Sequence, residues 1–146
     1  MATKFIGLLL SAFCSSALAA CQGPQNLPGQ YIDVTFEKNS SAISNSQLVA
    51  LASWSLDIRA RFPISDSLSV IGLAERFEHN PQQLGKARAD QVHATLHRLG
   101  IKSEKEDVVG RIYIPRDPPS LYDEHGQRVE VTFSPGCPSD CCKDSR

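Results

Sequence analysis

The stretch that decides the fold runs from Ser67 to Leu99 and reads SLSVIGLAERFEHNPQQLGKARADQVHATLHRL. Residues 67–73 are nearly continuously apolar, as expected of a strand in the middle of a sheet. Asn80 and Pro81 then suit the N-cap and first position of a helix, and Gly100 suits the residue just after its end. The sequence therefore predicts a strand, a polar turn and a helix that follow one another without a gap.

This junction contains two charged residues of interest. Glu75 follows the predicted strand, and Arg88 lies on the apolar line of the predicted helix, four residues from both Leu84 and Val92. An arginine on such a line either extends its head to water or holds an anion. We therefore expect the functional site here.

The segments on either side complete a small α/β domain. Ser44 and Gln47 form the pattern of a capping box, which predicts a first helix that ends before Pro63. Alternating or apolar runs predict three further strands, at residues 31–37, 107–114 and 128–133.

The resulting order, β-α-β-α-β-β, predicts a two-layer α/β sandwich with a mixed sheet and both helices on one face. Right-handed crossovers would make the first three strands parallel neighbours, and the last two strands would pair antiparallel. A domain over residues 31–135 is long enough for one hydrophobic core.

The N-terminal segment, residues 1–20, has the layout of a secretory signal peptide: Lys4 is followed by an apolar run and then by small residues. Residues 18–21 (LAAC) match a bacterial lipobox, which predicts that Cys21 is acylated and becomes the new N-terminus. Ordinary cleavage after Ala19 is the alternative. Gln22, rather than aspartate, after the cysteine is typical of lipoproteins sent to the outer membrane. With more than one acyl chain the attachment would be lasting, whereas ordinary cleavage predicts a soluble periplasmic protein.

The remaining segments flank the domain. Residues 22–30 form a Gly/Pro/Gln tether, and residues 136–146 form a polar tail with Cys137, Cys141 and Cys142. In an exported protein, a disulfide from Cys137 to one of the other two is expected, and the remaining thiol would pair with Cys21 or with another chain. A metal or redox role of this tail is a weaker alternative.

Composition excludes several classes of function. The 146 residues contain 15 Lys and Arg against 16 Asp and Glu, for a formal net charge of −1. Such a mixed, near-neutral surface gives no electrostatic footprint for nucleic acid or for a membrane surface. No nucleophile elbow, phosphate-binding loop or paired catalytic carboxylates occur, so we expect no enzyme and no cofactor.

One pattern resembles a known family. The chain is similar to a divergent OmpA-like domain, the peptidoglycan-associating module of outer-membrane proteins and lipoproteins. Four motifs occur in the family's order. The first is F-x-x-x-S-S at 36–41, and the last is R-V-E at 128–130. The family's second-helix pattern L-S-x-R-R-A-x-x-V-x-x-x-L appears at 84–96 as LGKARADQVHATL, with G-I at 100–101, and its V-G-x-G appears at 109–112 without the second glycine, followed by Pro115.

The resemblance implies a ligand and the residues that bind it. Such domains bind diaminopimelate of the cell-wall peptide with an arginine of the second helix and an aspartate in a G-H-T-D strand end. Arg88 matches the arginine and would bind the ligand carboxylate through two parallel hydrogen bonds. Residues 72–75 read G-L-A-E instead, so Glu75 would bind the ammonium, with Arg128 as a further candidate.

Two alternatives remain open from the sequence. Because the G-H-T-D motif is lost, Glu75 and Arg88 are also consistent with a structural ion pair, in an OmpA-like scaffold that serves as a protein-interaction subunit of an envelope assembly. His93 and His97 lie four residues apart on the second helix, but no third metal ligand is indicated. We therefore expect two exposed histidines and no metal site.

Overall fold

The computed structural model describes residues 28–115 and 125–136. The predicted signal peptide, Cys21 and the cysteines of the tail lie outside the described residues, so their processing, lipidation and pairing stay predictions. Six elements follow in order: β1 Gln30–Thr35, α1 Asn45–Arg61, β2 Ser65–Ala74, α2 Pro81–Arg98, β3 Lys105–Ile112 and β4 Arg128–Pro135. Neither helix is long and apolar enough to cross a membrane.

The predicted fold class is confirmed, but the strand pairing differs from the prediction. The four-stranded sheet has the order β1-β4-β2-β3. β2 and β3 are parallel, as expected, whereas β4 is antiparallel to both β1 and β2 and separates them. The expectations that β1 and β2 are neighbours and that β3 pairs with β4 are therefore wrong.

The pattern of burial on β4 explains its central position. Val129, Val131 and Phe133 are all buried on the core side, whereas the residues between them are only partly buried. A strand with three consecutive core positions is stabilised most where both its edges are paired and its face is covered. The core cluster joins this strand to side chains from both helices, among them Leu51, Ile58, Val92 and Leu96.

Local signals fix the helix ends. The Ser44 hydroxyl caps α1 by accepting a hydrogen bond from the Gln47 N–H at 3.4 Å. The Gln47 side chain does not close the second half of a capping box, because its oxygen accepts from the Thr35 N–H. Gly100, at φ +84°, ends α2 in a Schellman motif, with Ile101 N–H donating to the Leu96 carbonyl.

Three glycines bring α2 close to the sheet. A Cβ on Gly72 of β2 would lie 1.9 Å from the carbonyl oxygen of Gly85, and one on Gly110 of β3 would lie 2.2 Å from the Lys86 nitrogen. Only glycine allows the two backbones to approach this closely. The close contact places the N-terminal half of α2, with Arg88, against the end of β2.

Candidate functional site

Among the described residues, Arg88 is the largest fully buried side chain, with 0% of its surface exposed. It lies in the second turn of α2. The neighbouring Ala89 and Val92 are buried as well, so this face of the helix points to the core and the guanidinium lies on the core side. Its charged head reaches the end of β2, where it also lies over the Phe36 ring at 5.3 Å. Burial of a charge at this depth requires a partner.

That partner is Glu78, which the sequence prediction did not single out. Arg88 Nη2 lies 2.7 Å from Glu78 Oε1, and Nη1 lies 2.9 Å from Oε2, in a two-pronged ion pair whose side chains are both 0% exposed. We call Arg88 and Glu78 the Arg88 cluster. Arg88 thus does hold an anion, but the anion is a carboxylate of the same chain.

The other three N–H groups of Arg88 also bind the protein. Each donates to a backbone carbonyl at 2.8–3.0 Å: Ser40, Leu73 and Glu37. A guanidinium has five N–H donors, so all five are used within the chain. Arg88 therefore joins the loop after β1, the end of β2 and the turn before α2.

The carboxylate of Glu78 is equally satisfied. Besides the two Arg88 bonds, Oε1 accepts from the Asn39 N–H at 2.7 Å and Oε2 accepts from the Glu75 N–H at 2.8 Å. Burial raises the pKa of Glu78, but the hydrogen bonds from Arg88, Asn39 and Glu75, and the positive charge of Arg88, outweigh it. The pKa therefore lies below its ordinary value of 4.5, and the carboxylate is held in its charged form.

The two other predicted binding residues lie outside this ion pair. Glu75 is partly buried, and its Oε1 accepts a hydrogen bond from the Gly126 N–H at 2.7 Å, which joins the end of β2 to the residues before β4. Arg128 begins β4 and alternates with the core residue Val129, so it faces away from the helices. It pairs with Glu130 and lies over the Tyr113 ring at 5.5 Å.

Sequence reasoning missed Glu78 because the resemblance directed attention to the strand end. A signal was present, since residues 75–79 (ERFEH) offer a second carboxylate in the same turn, ten residues before Arg88. The turn is shaped by Asn39 and Asn80, both at positive φ. The Asn39 side chain accepts from the His79 N–H, which holds the turn against the loop after β1. No sequence pattern indicates this contact.

A second cluster lies further along α2. The Nε2 atoms of His93 and His97 lie 2.6 and 2.9 Å from the same oxygen of Glu106, near the start of β3. We call these three residues the histidine cluster. The helical spacing of the histidines is as expected, but both are partly buried, so the expectation of two exposed histidines is wrong. Glu106 was not indicated by the sequence, because it comes beside α2 only through the parallel pairing of β3 with β2.

Solved structures of other proteins have a similar fold. The chain is similar to the OmpA-like domain of FopA1 from Francisella tularensis, at 26% identity and a TM-score of 0.58, with 73% of each chain covered. It is also similar to the peptidoglycan-associated lipoprotein from Burkholderia pseudomallei, at 16% identity and a TM-score of 0.52, with 69% of this chain and 88% of that chain covered.

The fold is OmpA-like. A periplasmic domain of Helicobacter pylori MotB agrees with this assignment, at 20% identity and a TM-score of 0.53, with 73% of this chain and 83% of that chain covered. No protein-family model and no curated protein sequence matches the chain. The OmpA-like assignment therefore rests on the fold together with the sequence motifs.

Proposed function

We propose that this protein is a non-catalytic cell-envelope protein whose OmpA-like domain associates with peptidoglycan. The similarity in fold to a protein named for its association with peptidoglycan supports this role, as do the OmpA-like motifs of the sequence. The predicted signal peptide and lipobox at Cys21 favour a lipid anchor in the outer membrane, with the domain on the periplasmic side. The observation that carries the proposal is that Arg88 already holds a carboxylate in two-pronged geometry.

Binding would proceed by exchange of carboxylates. The pocket around Arg88 is built to hold one carboxylate, through two guanidinium N–H groups and the backbone N–H groups of Asn39 and Glu75. A carboxylate of diaminopimelate offers the same geometry and charge as Glu78. It would occupy the pocket only after Glu78 leaves, and Glu75 would then lie at the strand end to pair with the ligand ammonium.

The exchange makes the wild-type protein a weak binder. Breaking a buried ion pair by removing one partner costs about 3–5 kcal/mol, and an incoming ligand has to offset a cost of this kind. Glu78 therefore competes directly with the ligand. Arg128, which faces away from the helices, would contribute only at the edge of the site.

A pull-down with purified cell-wall sacculi tests this function. We expect weak retention of the wild-type protein and stronger retention of Glu78→Ala, which leaves the Arg88 pocket open. Arg76→Met, at an exposed arginine of the same turn, should behave as the wild type. The Burkholderia pseudomallei protein serves as the positive control. Failure of both the wild type and a folded Glu78→Ala variant to be retained would reject peptidoglycan association through this pocket.

A specific observation favours one second candidate, a protein-interaction subunit of an envelope assembly. Val49 and Leu56 lie two helical turns apart on α1 and are 69% and 66% exposed. Exposed apolar residues at this spacing are typical of a helix face that packs against a partner. If this is the function, cross-linking in intact envelopes should capture a partner with the wild type and lose it with Val49→Asp and Leu56→Asp. Gln91→Asp, at an exposed residue of the other helix, should keep the partner.

A further inference from the structure

The histidine cluster combines three groups that transition metals prefer. His93 and His97 lie at i and i+4 on one face of α2, and their rings are in contact in a tilted arrangement at a centroid distance of 4.1 Å. Both Nε2 atoms point to Glu106, whose Oε2 lies 2.6 Å from His93 and 2.9 Å from His97, and whose Oε1 lies 3.0 Å from His97. The ligand atoms of the three residues all lie within 4.8 Å of one another.

We propose that His93, His97 and Glu106 bind a divalent transition-metal ion, with Zn²⁺ as the best fit. Two imidazoles and one carboxylate form a known zinc ligand set in which water completes the tetrahedron. This site lies apart from the Arg88 cluster, and it does not depend on peptidoglycan association.

The distances require only a small adjustment. Zinc at about 2.0–2.1 Å from each ligand separates tetrahedral ligand atoms by about 3.3–3.4 Å. The observed separations between Glu106 and the two imidazoles are 2.6–3.0 Å, so each histidine–glutamate pair has to open by less than about 1 Å. The ligand nitrogens of the two histidines lie within 4.8 Å of each other. In binding, each Nε2 presents its lone pair to the metal, so a proton on that nitrogen moves to Nδ1 or leaves to solvent.

The surroundings hold the carboxylate and leave it accessible. The Ser103 N–H donates to Glu106 Oε1 at 2.9 Å, which is the kind of outer contact that orients a metal ligand. The side chains of the three ligands are 17–36% exposed, so an ion can enter from solvent.

Two lysines near the cluster are paired with carboxylates. Lys86, on the preceding turns of α2, pairs with Asp90, and Lys105, next to Glu106, pairs with Asp66 at 3.0 Å. Asp90 itself lies one turn before His93 on the same helix. The ion would therefore join α2 to β3, an edge strand of the sheet.

Titration of the whole chain with Zn²⁺, followed by calorimetry and by thermal unfolding, tests the site. The thiols are alkylated beforehand, so that Cys137, Cys141 and Cys142 do not compete for the ion. We expect one equivalent to bind and the unfolding temperature to rise. His97→Gln should weaken binding by at least about tenfold, which is the lower range found for residues that merely support a ligand.

Matched variants separate this site from non-specific binding. His79→Gln and His125→Gln remove the two histidines outside the cluster and should bind Zn²⁺ as the wild type does. Glu106→Gln, as a second variant, should weaken binding as His97→Gln does. The proposal is overturned if the wild type shows no saturable one-to-one binding, or if His97→Gln and Glu106→Gln, both folded by circular dichroism, bind as tightly as His79→Gln.

Discussion

In both charged clusters of α2, a glutamate contacts basic side chains of the helix, but the two clusters differ in their exposure to solvent. In the Arg88 cluster, one carboxylate meets a cation with 0% exposure on either side chain, and all five N–H groups of Arg88 are used. In the histidine cluster, one carboxylate meets two imidazoles that remain 24% and 36% exposed. The first cluster is saturated by the protein itself, whereas the second is open to an ion.

The difference shows that residue identity alone does not define a binding site. Arg88 occupies the position that the OmpA-like resemblance assigns to ligand binding, yet its hydrogen bonds join the loop after β1, the end of β2 and the turn before α2 of its own chain. His93 and His97 belong to no motif of the resemblance, yet their nitrogen atoms converge on one accessible carboxylate. Availability of the binding atoms to a ligand distinguishes the two clusters.

The largest expected effect comes from breaking the saturated cluster. Arg88→Met leaves the Glu78 carboxylate buried without its cation, and we expect a loss of about 3–5 kcal/mol in the free energy of unfolding. Urea denaturation followed by circular dichroism measures this loss, with Arg76→Met as the exposed control. The double variant Arg88→Met with Glu78→Leu should regain part of the loss, since no charge is then left unpaired. A loss below about 1 kcal/mol for Arg88→Met would contradict a buried, structural pair.

A smaller loss of stability is expected when a side chain is added between α2 and the sheet, where the two backbones are in contact. Gly72→Ala places a methyl group 1.9 Å from the Gly85 carbonyl oxygen, and backbone atoms have to move to relieve the contact. We expect a loss of about 1–3 kcal/mol, as for an overpacked core. Thermal unfolding measures it, with Ser53→Ala on the exposed face of α1 as control. A variant as stable as the wild type would show that α2 and β2 are further apart than described.

The dependence of stability on pH distinguishes what the charge of Glu78 contributes to stability from what the packing of its side chain contributes. Because its pKa is lowered in the folded state, this carboxylate contributes stability that is complete above its ordinary value of 4.5 and is lost as the pH falls through the lower folded value. Each unit of lowering corresponds to about 1.4 kcal/mol.

Urea denaturation between pH 3 and pH 6 measures this contribution. The wild type should lose stability towards acid more steeply than Glu78→Gln, in which nothing titrates at this position. The same measurement on Glu106→Gln shows how much of the acid sensitivity comes from the other glutamate whose pKa is lowered. Parallel curves for the wild type and Glu78→Gln would show that the carboxylate has the same pKa in the folded and unfolded chain.

The smallest effect is expected in the open cluster without metal. Glu106→Gln removes a partly exposed charge partner of both histidines, and we expect a loss of about 1 kcal/mol or less, as for other accessible ion pairs. Chemical denaturation in the presence of a chelator measures it. Asp66→Asn, which breaks the exposed pair with Lys105, is the matched control. A loss as large as that of Arg88→Met would show that the histidine cluster is as structural as the Arg88 cluster.

Local features of the fold were predictable from sequence, whereas long-range pairing was not. Pro81 and Gly100 mark the ends of α2 as predicted, because the residue types that suit these positions act locally. Asn80 precedes the helix as predicted but makes no side-chain capping hydrogen bond. The central position of β4 depends on pairing with β1 and β2, which lie more than 50 residues earlier in the chain. An alternating strand such as β4 shows which face is buried but not which strands lie beside it.

The same limit applies to the two clusters. The sequence indicated that Arg88 either extends its head to water or holds an anion, because it lies on an apolar helical line. The structure shows the second of these, with Glu78 as the anion. Glu78 was missed because burial of that carboxylate depends on the Asn39 N–H, 39 residues away. Glu106 was missed for a similar reason, since the register of β2 and β3 brings it beside α2.

Calorimetric titration with meso-diaminopimelate tests most directly whether Glu78 fills the pocket that a ligand carboxylate would take. The wild type and Glu78→Ala are compared, with Arg76→Met as control and circular dichroism to establish that each is folded. We predict that Glu78→Ala binds at least about tenfold more tightly than the wild type, since tenfold corresponds to 1.4 kcal/mol and the pair that it removes is worth more. Equal affinities for a folded Glu78→Ala and the wild type would contradict the exchange of carboxylates at Arg88.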